Sequence, residues 1–537
     1  MSSRERAKKH NLHPSARVTT HFDHSVSNTE QCALNANCVK LCKRSRIILP
    51  TTSECGVVPG GFGLLKDDQV DACVVGAGPA GSTTALRLAQ LGHRVILIER
   101  ARFPRPHVGE SLTKGTPILF EMLGLRELWS KLDLVHAPET LVRWDKTEAE
   151  RLPEADNSAA LTVNRGEFDS LLLKSADVAG VEVIQPTQAC RATSCESGWQ
   201  LDIRSDRQIR NIRASYLIDA AGRQSFLPGA RVSTLPPTLA LCGYLQDSRP
   251  PQATRIEAIP DGWCWGASVP GKLFSAMVFI DSCTFRQRRP EGLEEFWRSQ
   301  LAEATLFEDV SKLPVAQPVF ALNATTGFTV DSIGPNFVRV GESSFTLDPL
   351  SSTGVEKAMQ TGYVAAATVH TMITRPERKE LSMAFYRARQ RETIERHHAW
   401  SVDSYRKVVR FGVSPFWRER SRPLTGIQNA RLPLRASLPD QNISATTRVR
   451  LSGAAQLSKE PCIIDNEVCE RTALLHPALG RPVAFVDGIE LGCLLSLVPA
   501  NVDIGTLVTL WSARVSPQRA ARVAGWLVKH HILECVF

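Results

Sequence analysis

The stretch Ala72–Ala101, ACVVGAGPAGSTTALRLAQLGHRVILIERA, leaves this chain few folds to choose from. It runs from a short apolar segment through a glycine-rich turn and a helix-period segment to a second apolar segment ending in acid. That is one complete strand–turn–helix–strand unit. Gly76 permits the tight turn, Gly78 lets the backbone approach a pyrophosphate, and Gly81 lets the helix pack close to the strand, with Ala80 beside it in the same turn. Phosphates then sit where unpaired N–H groups and the positive end of the helix dipole favour anions. Glu99 closes the second strand about 20 residues on, placed to accept protons from an adenosine ribose, and Arg100 follows it. These six residues are the expected dinucleotide-binding set.

The chain has 537 residues, 43% hydrophobic and 22% charged, enough for roughly two to four packed units. No run approaches about eighteen consecutive apolar residues, so no transmembrane helix is expected. The net charge of +9, from 64 basic and 55 acidic residues, comes without a long basic run and does not call for nucleic acid. The 14 cysteines are scattered, some inside apolar runs, as Cys73 is; this reads as buried reduced thiols in a cytoplasmic protein. Residues 1–65 read as a weakly ordered leader without a signal-peptide core. Its Cys32, Cys38, Cys42 and Cys55 match no paired zinc spacing, so no metal site is expected.

Further segments choose the dinucleotide. FPRPHVGESLTKGTPILFEMLGL follows the second strand; VNRGEFDSLLLKSA places Arg165 before a helix; ASYLIDAAGRQS carries Asp219, Gly222 and Arg223 at a strand end. FVRVGESSFTLDPLSSTGVEKAMQTGYVAA then runs through Gly341 and Glu342 to Thr353 and Gly354, where a helix opens. Taken together these resemble the flavoprotein monooxygenase fold of the p-hydroxybenzoate hydroxylase type. The V-G-E-S of Val108–Ser111 and the D-P-L-S-S-T-G of Asp348–Gly354 resemble its branch of flavin-dependent halogenases and geranylgeranyl reductases. The resemblance spans about residues 71–422 and implies FAD. It implies that Gly222 and Gly341 border the cofactor, that Glu342, where the family usually has Asp, reaches the ribityl chain, and that Arg165 approaches the cofactor. The helix beginning after Thr353 at Gly354 would aim its amides at the flavin pyrimidine and stabilise negative charge there.

Residues 239–330 change to alternating apolar and polar runs, which read as an antiparallel substrate sheet inserted into the FAD domain. Trp263 and Trp265, in Gly262-Trp263-Cys264-Trp265, resemble the W-x-W-x-I-P signature of flavin halogenases, although four residues rather than two separate Trp265 from Pro270. They are the expected substrate-side residues. Halogenases of this family also use a lysine and, in some members, a glutamate. The corresponding segment LDLVHAPETLVRWD holds no lysine, and Ser351 stands at the glutamate position. Lys114 and Lys131 lie off-register and are expected to face solvent. Hydroxylation of an aromatic ring by flavin-activated oxygen is therefore favoured over halogenation, on a fold that hosts both. No catalytic residue is assigned. No second nucleotide fingerprint is present, so NAD(P)H binds transiently or a separate flavin reductase supplies electrons.

A charged helical region and linker fill residues 376–450, with His397 and His398 expected on an exposed helix surface. Residues 460–537 read as a small winged-helix-like unit: a hairpin around Asp487-Gly488, then two amphipathic stretches, the second with Ser516 as N-cap and Pro517 at the first helical position. The unit resembles leader-peptide-binding domains. A structural cap and a DNA-binding helix-turn-helix offering Arg519, Arg522 and Lys529 are the alternatives. The expected fold is thus α/β: a Rossmann-type FAD domain at residues 66–238 and 331–375, the inserted sheet, the helical region and the tail. A core and tail of this kind resemble flavin monooxygenases that mature tryptophylquinone cofactors, which implies hydroxylation of a tryptophan indole in a peptide or small protein. A halogenase of an aromatic substrate, and a flavin redox sensor with a DNA-binding tail, are the other readings.

Overall fold

The computed structural model describes residues 69–153, 160–206, 208–246, 251–288, 292–423 and 444–536. The expected leader at 1–65 and most of the expected linker lie outside them. The apolar run Val70–Val75 is the centre of a parallel sheet, flanked by Val95–Ile98 on one side and Gln208–Asp219 on the other. Glu182–Ile184 and Phe337–Arg339 extend that sheet in parallel at either side. Because helices cover one face and the antiparallel strands Gln188–Cys195 and Gly198–Ser205 fold over the other, the central strands are almost continuously apolar, as strands buried on both faces must be. The helices Pro79–Gln90, Arg165–Val178 and Gly354–Thr374 share one core with the sheet. Two antiparallel strands, Gln188–Cys195 and Gly198–Ser205, extend from the long strand Gln208–Asp219.

The second sheet has seven strands, and its composition corrects the expected boundary. Five strands lie between residues 238 and 323, but Glu139–Arg143 and Glu150–Pro153 join from within the stretch assigned to the FAD domain. Glu139–Arg143 pairs in parallel with Ala253–Ile259, covering an edge that would otherwise present unpaired backbone groups. Side chains alternate across this sheet. Cys264 faces a core closed by the helix Leu293–Ala302, whose Trp297 ring would collide with any Cβ at Gly243. Trp263 and Trp265 face the opposite core, shared with the helices Lys379–Arg406 and Pro415–Arg420.

The C-terminal unit starts earlier than expected. Its three-stranded sheet is Arg448–Leu451 flanked by Val502–Asp503 and Leu533–Cys535, and it packs with helices Leu491–Leu495, Ile504–Trp511 and Pro517–Lys529 around its own core. The expected hairpin at Asp487-Gly488 is present, with φ of 51° and 68° at those two residues. Ser516 occupies the N-cap position of the last helix but makes no side-chain cap hydrogen bond. A longer hairpin that the sequence reading passed over, Gln456–Ile464 with Glu467–Leu475, lies against the flavoprotein core. Among the described residues no helix is long and apolar enough to cross a membrane.

Candidate flavin site

The three glycines of the first turn do three different jobs. At Gly76, φ is +106°, and a Cβ there would lie 2.4 Å from the Ala220 carbonyl oxygen. A Cβ at Gly81 would lie 1.9 Å from the Gly76 oxygen, so helix and turn meet backbone to backbone. A Cβ at Gly78 would meet nothing closer than Arg105 Nη2 at 3.8 Å. That open space lies at the helix N-cap, which no side chain caps, so the first amides remain available to an anionic ligand. Ala80 is buried in the same turn. Glu99 is 6% exposed and accepts N–H bonds of 2.8 Å from both Ala77 and Ala101, which fixes its carboxylate beside the turn. Arg100 is exposed.

Arg105 was missed in the sequence. It stands on the loop after the second strand, faces the Gly78 opening and lies 3.6 Å from the buried Asp169. The signal was present, since its segment FPRPHVGES is the one that resembles the family. Arg165, expected to approach the cofactor, is held by protein partners. It is 6% exposed, pairs with Asp169 at 3.0 Å and donates to the carbonyls of Val108 and Gly109 at 3.0 and 3.1 Å. These bonds hold the V-G-E-S loop, and Arg105 stands nearer the Gly78 opening.

At the other end, Gly341 (φ +59°) would place a Cβ 2.8 Å from that of Ala80, so the first and last motifs meet there. Gly222 (φ +75°) opens the turn after Asp219 with no atom near its missing Cβ. The buried Asp219 accepts from Ala221, Phe226 and Leu227 N–H groups and pairs with Arg339 at 2.9 Å, which ties this loop to the strand before Gly341. Glu342 is about half exposed and forms a 2.9 Å ion pair with Arg223, beside Gly222. Thr353 caps the helix Gly354–Thr374 by position only: its hydroxyl lies 2.9 Å from Ser351 Oγ, and no side chain takes the first amides. Gly354 also has open space. Two uncapped helix N-termini, a fixed acid at the ribose end and a cation at the phosphate end fit FAD.

The substrate side is apolar and aromatic. Trp263 is 1% exposed and stacks on Phe279 at 3.9 Å, and Trp144 meets both Trp263 and Trp417 edge-on. Trp265 is 6% exposed in the same cluster, which also includes Leu350 of the last motif. Two buried carboxyls border this cluster. Glu110 of the V-G-E-S segment accepts from the Tyr244 hydroxyl, and burial pushes its pKa up. Asp348 accepts a 2.9 Å bond from Tyr405, and burial raises it as well. His397 corrects its expected exposure: partly buried, it accepts the Asp348 N–H at 2.7 Å, and burial depresses it to about 3, so the imidazole is neutral. His398 is buried at 4%. Lys131 is exposed as expected, whereas Lys114 is half-buried at the start of the helix Gly115–Met122. Among the described residues no cluster of His, Cys, Asp and Glu is arranged to hold a metal.

Comparison with known proteins agrees with this geometry. An FAD binding domain family matches residues 69–232. The tryptophan 2-halogenase of Chondromyces crocatus is 30% identical over 322 residues, a match covering 56% of this chain and 61% of that protein. Among solved structures, the flavin-dependent halogenase CmlS superposes with a TM-score of 0.71 at 23% identity, over 88% of this chain and 98% of its own. The peptidyl tryptophan dihydroxylase QhpG, essential for tryptophylquinone cofactor biogenesis, superposes at 0.65 and 22% identity, over 86% and 99%. Residues 69–232 are those of an FAD binding domain, and over the wider chain the fold is similar to that of flavin-dependent halogenases and the peptidyl tryptophan dihydroxylase. The chain spans about three fifths of the length of the tryptophan 2-halogenase that it matches.

Proposed function

We propose that this chain is an FAD-dependent monooxygenase that hydroxylates a tryptophan indole within a peptide or small protein. The observation that carries the reading is the aromatic cluster beside the last flavin motif. It is packed by Trp144, Trp263, Trp265, Phe279 and Leu350, and the segment 132–145, which runs into Trp144, holds no lysine. FAD, when bound, supplies electron storage and oxygen activation, with molecular oxygen as co-substrate and NAD(P)H or a partner flavin reductase as electron source. The chain's own residues hold the cofactor at Gly78, Glu99 and Arg105, aim the helix at Gly354 toward its charged ring, and exclude water around the reacting carbon. Indole is electron-rich and needs little help from a base. The C-terminal unit supports a peptide substrate, because binding energy remote from the indole can position it. Its Arg519 and Arg522 are drawn to Asp487 of the neighbouring hairpin, at 3.6 and 2.6 Å, which weakens the case for a nucleic-acid surface.

Halogenation is the second reading, favoured by the 30% identity with a tryptophan 2-halogenase. The two separate on product mass. Reduced holoprotein is mixed with oxygen, bromide and a tryptophan-containing peptide; gain of one or two oxygen atoms supports hydroxylation, and a bromine isotope doublet overturns it. No product, together with sequence-specific retention of DNA, points instead to a flavin redox sensor.

A further inference from the structure

The long hairpin of the C-terminal unit carries two cysteines that the flavin chemistry does not use. Its two-residue turn, Asp465-Asn466, has φ of 48° and 69°, and this fixes a register in which Cys462 stands directly opposite Cys469. Directly opposed residues of an antiparallel pair have Cα atoms about 4.5–5.5 Å apart. A disulfide bridges about 4.4–6.8 Å. Both thiols are reduced and half-buried, and Cys462 Sγ lies 3.6 Å from the Cys469 carbonyl oxygen. Strand alternation puts Glu467, Cys469 and Arg471 on one face. Glu467 on that face pairs with Arg375 and Arg378, at the turn between the two long helices of the flavoprotein core. The thiols therefore lie beside the seam where the C-terminal unit meets that core.

We propose that Cys462 and Cys469 are a peroxide-oxidised dithiol, with Cys469 as the attacking thiol and Cys462 as the resolving one. Hydrogen peroxide is the oxidant. The Cys469 sulfur attacks one peroxide oxygen; the S–O bond forms, the O–O bond breaks and hydroxide leaves. The Cys462 sulfur then attacks the Cys469 sulfur, the S–S bond forms, and the S–O oxygen departs as water with the Cys462 proton. Two thiols and one peroxide give one disulfide and two waters. The environment favours this order. The hydrogen bond with Cys462, helped by the charges of Arg471 and Arg378 and opposed by desolvation and Glu467, brings the Cys469 thiol down to about 7. The buried Cys73, by contrast, is pushed up to about 12.

The test uses the full-length holoprotein and hydrogen peroxide added stepwise, followed by denaturation, alkylation and tryptic mapping. Cleavage after Lys459 and Arg471 places both cysteines on one peptide, Glu460–Arg471. The expected result is that this peptide loses both alkylation sites and becomes lighter by two hydrogen atoms before the exposed Cys190, Cys195 and Cys283 react. In Cys462→Ser, Cys469 should stop at the sulfenic acid, which a cyclic diketone labels on the same peptide. The proposal is overturned if the peptide stays doubly alkylated after the exposed cysteines have reacted, or if Cys469 is recovered joined to another cysteine. Should Cys462→Ser not be recovered with flavin, the wild-type peptide decides alone.

Discussion

Gly78 and Gly81 are three residues apart and fail differently when a single methyl is added. Gly81→Ala forces a Cβ to within 1.9 Å of the Gly76 oxygen, so helix and strand must part; low soluble yield and a lowered melting temperature are expected. Gly78→Ala meets open space in the protein, so the apoprotein should melt near the wild type while FAD retention, read from the visible flavin spectrum after desalting, drops sharply. His397 sets a pH dependence. Its pKa falls from 6.5 in the unfolded chain to about 3 in the fold, so between those values the unfolded state binds more protons and stability is lost as pH falls. His397→Gln should flatten this acid limb in urea midpoints measured between those pH values. Glu110 and Asp348 are raised by burial and act in the opposite direction, since their fit to the fold is best when protonated and weakens as pH rises through the carboxylate range. The tight turn at Gly76 and the close packing at Gly81 were legible in the sequence because spacing alone encodes a turn. The Asp348–Tyr405 and Glu110–Tyr244 pairs were not, since each joins residues more than a hundred positions apart or on unrelated elements, and no local pattern records such a meeting.

Elements were legible where their periodicity was long. The helix from Gly354 and the strand of Trp263 follow from apolar spacing, but the docking hairpin at Gln456–Leu475 was passed over. Both of its faces are partly covered, one by the core it rests on, so its alternation is weak and its turn lacks glycine. Its attachment can be measured. The Val468 N–H donates to Thr371 Oγ1 at 2.8 Å in a buried setting, and Thr371→Val leaves that donor unpaired, a cost of about 1–3 kcal/mol. Hydrogen exchange at Val468 should speed up by roughly 5- to 150-fold if the hairpin opens as a unit. The helix Pro415–Arg420 is a second anchor: Trp417 is 1% exposed, meets Trp144 edge-on at 5.3 Å and donates to the carbonyls of Ile259 and Pro260. Trp417→Ala should cost about 3–5 kcal/mol in chemical unfolding and loosen the aromatic cluster against the sheet.

Across the whole molecule, the cores are separable by sequence. The core beneath the first motif draws on no residue beyond Tyr386, and that of the C-terminal unit on none before Val449. Removal of residues 424–537 should therefore leave a yellow, folded protein, while affinity for the peptide substrate, measured by calorimetry, disappears. Retained affinity in the truncated chain would place peptide recognition on the flavoprotein core instead. The sheet boundary was not readable from motifs, because the strand that ties Glu139–Arg143 into the second sheet, Ala253–Ile259, lies far downstream. That distance also sets a timetable for synthesis. A chain emerging at about 5–20 residues per second gives the strand Glu139–Arg143 its neighbour Glu150–Pro153 at once but leaves its other edge without Ala253–Ile259 for on the order of ten seconds. The final core strand, Phe337–Arg339, arrives later still. Unpaired strand edges on the nascent chain are sticky for that whole interval, so a host with ample chaperones or slow expression at low temperature should yield more soluble protein.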